Sequence, residues 1–96
     1  MNNKYLNQLR NLILNELKDE PVQIVLFGSR AREDHQTTSD VDVGIIPSHP
    51  INEKKISVLR EKIEGLNIPY QVELVNLDQV SESFRKEILK DAIFWK

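Results

Sequence analysis

Cysteine is absent from this 96-residue chain. That excludes a disulfide framework, a thiolate zinc site and a cysteine nucleophile, and it agrees with a reducing compartment. Basic residues are not in excess either. Thirteen Lys and Arg stand against fifteen Asp and Glu, for a net charge of -2. A domain whose main work is coating nucleic acid is usually strongly basic, so no direct nucleic-acid binding is expected. Long apolar runs are also missing. The longest are four residues, such as Ile24-Val25-Leu26-Phe27, whereas a membrane-spanning helix needs about 20. The opening Met1-Asn2-Asn3-Lys4 lacks the apolar stretch of a signal peptide. With 40% hydrophobic and 29% charged residues, the composition suits a folded core rather than disorder. The expectation is one cytoplasmic domain over residues 1–96, with no membrane association.

The apolar pattern predicts the elements. Tyr5, Leu6, Leu9, Leu12, Ile13 and Leu17 recur at three and four, which predicts a helix over 4–18. Val22 to Phe27, between Pro21 and Gly28, reads as a short buried strand. Gly28-Ser29 then forms a tight turn into a short helix from Arg30 to Glu33, with Ser29 as its cap. Residues 34–39 are polar and loop-like. From Asp40 to Ile46 the chain alternates, with Val41, Val43 and Ile45 on one face and Asp40, Asp42 and Gly44 on the other. A helix over 52–65 carries Ile56, Leu59, Ile63 and Leu66. A third strand over 70–76 puts Val72 and Leu74 on one face and Gln71, Glu73 and Val75 on the other. A last helix over 82–94 aligns Phe84, Ile88, Ala92 and Trp95, so Trp95 is expected to pack with Phe84 and Ile88. The order α-β-α-β-α-β-α makes this an α/β (α+β) domain. The helix between the second and third strands predicts that those two run parallel. The shorter first connection allows an antiparallel start, so a small mixed sheet flanked by helices is expected.

Chemistry concentrates at Gly28-Ser29 and Asp40-Val41-Asp42. Aspartates at i and i+2 of a strand share a face, with β-carbons about 6–7 Å apart. Such a pair suits hard cations; magnesium favours one or two carboxylates plus phosphate oxygens, and two-ion sites hold the ions about 3.5–4 Å apart. Glycine at a strand end lets the backbone approach a ligand closely, and the next helix offers free N–H groups to phosphate. Ser29 adds a hydroxyl and Arg30 a charge. Glu73 is the candidate third carboxylate, because a charge flanked by Val72 and Leu74 in mid-strand needs a reason. It suits a general base or a further metal ligand. Gly-Ser and Asp-x-Asp at one fixed spacing arise by chance in about one chain in a thousand of this length. The bland readings are a solvent-facing Glu73, surface charges at Arg30 and Arg32, a turn cap at Ser39, and ordinary loop residues at His35 and His49. Phe94 lies off the last helical stripe and suits either a frayed end or a partner interface.

Gly28-Ser29-Arg30-Ala31-Arg32 with Ser39-Asp40-Val41-Asp42-Val43, followed by Tyr70-Gln71-Val72-Glu73-Leu74-Val75 and Ser83-Phe84-Arg85, resembles the minimal nucleotidyltransferases of the DNA polymerase β-like superfamily. The resemblance implies that fold, a phosphate-binding turn at Gly28 and Ser29, and metal-binding aspartates at Asp40 and Asp42. Glu73 falls where the family usually has its third aspartate, and Asn76 where an acidic residue is common. Glu33 replaces a frequent glycine. The family's members typically pair with a HEPN-domain protein, a toxic ribonuclease, as toxin–antitoxin modules. The resemblance therefore implies ATP as substrate, Mg²⁺ as cofactor, and transfer of AMP to a hydroxyl of a HEPN toxin, a tyrosine in characterised cases. That is an antitoxin of type VII-like character. One alternative is a fold that neutralises its partner by contact alone, motivated by Glu73 and Asn76. Another is a small-molecule nucleotidyltransferase, which needs an acceptor pocket that a chain of this length is not expected to build.

Overall fold

The computed structural model describes residues 4–28, 31 and 40–96. Helix α1 (Lys4–Glu16) leads into strand β1 (Val22–Phe27), then β2 (Val41–Pro47), α2 (Glu53–Glu64), β3 (Val72–Asn76), α3 (Glu82–Leu89) and β4 (Ile93–Phe94). The four strands form one mixed sheet in the order β3-β2-β1-β4. β1 and β2 pair antiparallel, whereas β2 and β3 run parallel across the α2 crossover.

The sheet's two faces are covered unequally. On one face α1 and α2 bury their stripes. Leu9, Ile13, Ile56, Leu59 and Ile63 pack against Ile24, Leu26, Val41, Val43, Ile45 and Leu74. These residues alternate along each strand as the period of two requires. Asn52 caps α2 by accepting the Lys54 N–H at 2.9 Å. On the other face Val25, Phe27, Leu77 and Ile88 form a smaller core under α3. α3 has eight residues and spans only about 12 Å. It therefore leaves part of this face uncovered.

The second core depends on a glycine. A β-carbon on Gly44 would lie 2.8 Å from Leu77 Cδ1 and 3.0 Å from Val25 Cγ2. Only a residue without a side chain lets Leu77 lie this close to mid-strand β2.

The last predicted helix needs correction. It stops at Leu89, and Ile93–Phe94 form a strand antiparallel to β1. β1 would otherwise expose an unpaired edge. The returning chain fills it: Trp95 N donates to Ile24 O at 2.7 Å, and Ile24 N donates to Lys96 O at 3.1 Å. Those bonds override the helical spacing. Trp95 accordingly packs with the α1 and α2 core, on the opposite side from Ile88, and Phe84 stays half exposed. Lys96 Nζ ties the same segment to the end of α1, donating to Leu17 O and Glu20 O at 2.8 Å each. The element order is thus α-β-β-α-β-α-β among the described residues. The short helix expected after Ser29 lies outside them, apart from Ala31, whose N–H donates to Gly28 O at 3.1 Å.

Candidate active site

Among the described residues, the candidate acidic side chains stand on the part of the second face that α3 does not reach. Phe27 ends β1 opposite Asp42 on β2, and Asp42 stands in register with Glu73 on β3. Adjacent strands lie about 4.8 Å apart, so the two carboxylates project side by side from one surface. Asp40 precedes β2 by one residue and shares the parity of Asp42. The strand pattern thus brings Asp40, Asp42 and Glu73 to one patch.

Gly28 completes the local geometry. Its φ of +74° is in the left-handed region, which glycine enters without steric cost. A β-carbon there would lie 2.5 Å from Asp42 Oδ2. Gly28 therefore lies directly against the Asp42 carboxylate, and only glycine leaves the oxygen free.

Electrostatics single out the same aspartate. The Asp42 carboxyl is pushed above its ordinary value, first by burial, then by the negative charges of Glu73 and Asp40. Asp42 is half-buried beside Phe27, whereas Asp40 and Glu73 are exposed. Ionised carboxylates crowded in this way repel one another and attract a cation. This donor set fits a hard divalent ion, which takes carboxylate oxygens and completes its shell with water and phosphate. Among the described residues, no three acidic or imidazole side chains close into a cage by themselves.

Ser29 and Arg30, expected to hold phosphate, lie outside the described residues, as do Arg32, Glu33, His35 and Ser39. His49 is exposed, next to the end of β2. Asn76 is not part of the patch. Its parity is that of Leu74, on the opposite face from Glu73, and its Oδ1 accepts the Asp78 N–H at 2.9 Å in the turn leaving β3. Sequence reasoning missed Arg60, whose Nη2 donates to Leu74 O at 3.0 Å beside Glu73. One arginine on a helix's polar side gives no sequence signal of that contact.

Comparison with known proteins places the chain in a family and its fold among known ones. The family model described as Polymerase beta, Nucleotidyltransferase matches residues 7–94. The Haemophilus influenzae protein named "Probable protein adenylyltransferase MntA" is 33% identical over 64 residues, covering 67% of this chain. The match spans only 56% of that relative's length. Among solved structures, one described as a minimal nucleotidyltransferase superposes with a TM-score of 0.75 at 23% identity, covering 97% of this chain and 95% of the other. A toxin–antitoxin structure with AMP-PNP gives 0.70 at 21% identity, over 91% and 72% of the two chains. The complex of a tri-AMPylated HEPN toxin with its MNT antitoxin from Shewanella oneidensis gives 0.65 at 19%, over 94% and 71%. At these identities the structures establish the shared fold. No described helix is long and apolar enough to cross a membrane. With the family model matching residues 7–94, the chain belongs to the polymerase β-type nucleotidyltransferases.

Proposed function

We propose that this protein is a Mg²⁺-dependent nucleotidyltransferase that moves AMP from ATP to a hydroxyl, a tyrosine by family resemblance, on a HEPN-domain partner, and so acts as an antitoxin. The observation that carries the reading is the placement of Asp42 between the Gly28 turn and Glu73. Relatives support the partner: MntA is named as a protein adenylyltransferase, and the Shewanella oneidensis antitoxin sits in complex with an AMPylated HEPN toxin.

Each residue has a role. Gly28 lets backbone N–H groups and phosphate oxygens approach the Asp42 carboxylate. Ser29 and Arg30 hold the phosphates. Asp40 and Asp42 hold one or two magnesium ions, with Glu73 as the third carboxylate. Bound magnesium would neutralise phosphate charge and polarise the α-phosphorus. The acceptor oxygen attacks the α-phosphorus, an O–P bond forms, and the bond to the β-phosphate bridging oxygen breaks to release pyrophosphate. Glu73 takes the hydroxyl proton as the oxygen attacks. The acceptor itself comes from the partner.

The test is transfer of label from α-labelled ATP, with Mg²⁺, to the protein that co-purifies with this chain, expected to be a HEPN-domain protein. Wild type and Asp40→Asn/Asp42→Asn are run in parallel. Label on the partner with wild type alone supports the reading. A stable complex with no label in either sample supports neutralisation by contact instead.

A further inference from the structure

Among the described residues, Glu73 stands on the outermost strand, bonded to the sheet on one side only. Val41 N donates to Gln71 O at 2.9 Å and Leu77 N donates to Ile45 O at 2.8 Å. By alternation, residues 71, 73 and 75 turn their backbone groups toward β2, and residues 72, 74 and 76 turn theirs outward. A cavity of about 530 Å³ borders residues 70–74 and reaches Glu73. Packing therefore does little to hold this stretch from its outer side, and the parallel pairing with β2 is the weaker kind.

Arg60 bridges that gap. It follows buried Leu59 on α2 and lines the cavity beside Ile63 and Leu66. Its Nη2 donates to the outward carbonyl of Leu74 at 3.0 Å. A charged donor makes a stronger hydrogen bond than a neutral one. The Leu74 side chain is buried in the α2-side core, 6% exposed. The residue after Glu73 is thus held at both its side chain, in the core that α1 and α2 share with the sheet, and its carbonyl, where the Arg60 bond from α2 is independent of the β2 ladder.

We propose that Arg60 is a positioning residue for Glu73. By clamping Leu74 O it keeps β3 from shifting and holds the Glu73 carboxylate opposite Asp42. Its kinetic consequence rests on the reading of Glu73 as proton acceptor.

Two variants test this. Arg60→Met keeps an apolar stem and loses the donors; Arg60→Lys keeps the charge and one donor site. In the free protein, amide exchange at Glu73 and Val75 is expected to quicken at least about tenfold in Arg60→Met, with β1 amides unchanged, as local opening requires. Unchanged exchange at Glu73, or equal acceleration in β1, overturns the clamp. In the labelled transfer to the HEPN protein, Arg60→Met is expected to lower kcat about tenfold with KM for ATP unchanged, and Arg60→Lys to recover most of the loss. A loss that falls on KM for ATP, or no loss in kcat, overturns the positioning role. If wild type itself transfers no AMP, the nucleotidyltransferase reading fails while exchange still decides the clamp.

Discussion

The oxygen Oδ2 of Asp42 lies 2.5 Å from the point where a side chain on Gly28 would begin. The turn at Gly28 and the acidic strand therefore meet at one contact, and a single methyl group is enough to close it. Gly28→Ala meets both this overlap and an unfavourable φ. Left-handed strain of this kind costs about 1–3 kcal/mol. The expected result is a lower midpoint in thermal unfolding and loss of AMP transfer by the fraction that remains folded. Wild-type transfer by the alanine variant would contradict the role given to this turn.

Asp42 sets a pH dependence of stability. Its carboxyl titrates above the ordinary value of 3.8 because of burial, then Glu73 and Asp40. Between 3.8 and the raised value the folded state binds more proton than the unfolded state. Stability therefore falls as pH rises through that window and is recovered on acidification. Asp42→Asn removes this cost, so the midpoint at neutral pH should rise. The gain should vanish at pH values below the ordinary carboxylate range. Mg²⁺ should raise the midpoint of wild type and not that of Asp42→Asn. Thermal unfolding across pH, with and without Mg²⁺, checks all three.

Glu73 variants test the proposed need for a carboxylate at this position. Glu73→Gln keeps shape and removes the carboxylate proposed as base, and should lower kcat by about 10²–10⁴-fold. Glu73→Asp keeps a carboxylate one methylene shorter and should retain more activity than the glutamine variant. Single-turnover transfer rates decide the order. Equal activity of wild type and Glu73→Gln would leave Glu73 as a solvent-facing strand residue.

Gly44 separates packing from chemistry on the same strand. Gly44→Ala would press on Leu77 and Val25. Overpacking of this kind costs about 1–3 kcal/mol. Denaturant unfolding should show that loss, while the KM for ATP of the folded protein stays at the wild-type value.

Most of this arrangement was legible in the sequence because it follows from strand alternation. Val41, Val43 and Ile45 facing inward forces Asp40, Asp42 and Gly44 to the other face, and the same rule aligns Glu73 with Val75. The α2 crossover made β2 and β3 parallel neighbours, which brings Glu73 beside Asp42. What stayed hidden depends on groups far apart in the chain. Ile93–Phe94 pair with β1 although their spacing continues a helix, because an open strand edge offers bonds that periodicity does not record. Trp95 followed them to the opposite face. Arg60 reaches Leu74 O across a cavity, and Asn76 turns into the loop after β3. Gly44 was visible as a glycine within a strand, yet its reason, Leu77, lies 33 positions away.

The most direct test of the central claim is the intact mass of the HEPN partner after co-expression with this chain. With wild type, the partner should carry the mass increment of one or more AMP groups. With Asp40→Asn/Asp42→Asn, it should be unmodified. An unmodified partner bound tightly by wild type would contradict transfer and leave the Gly28, Asp42 and Glu73 patch as part of a binding surface.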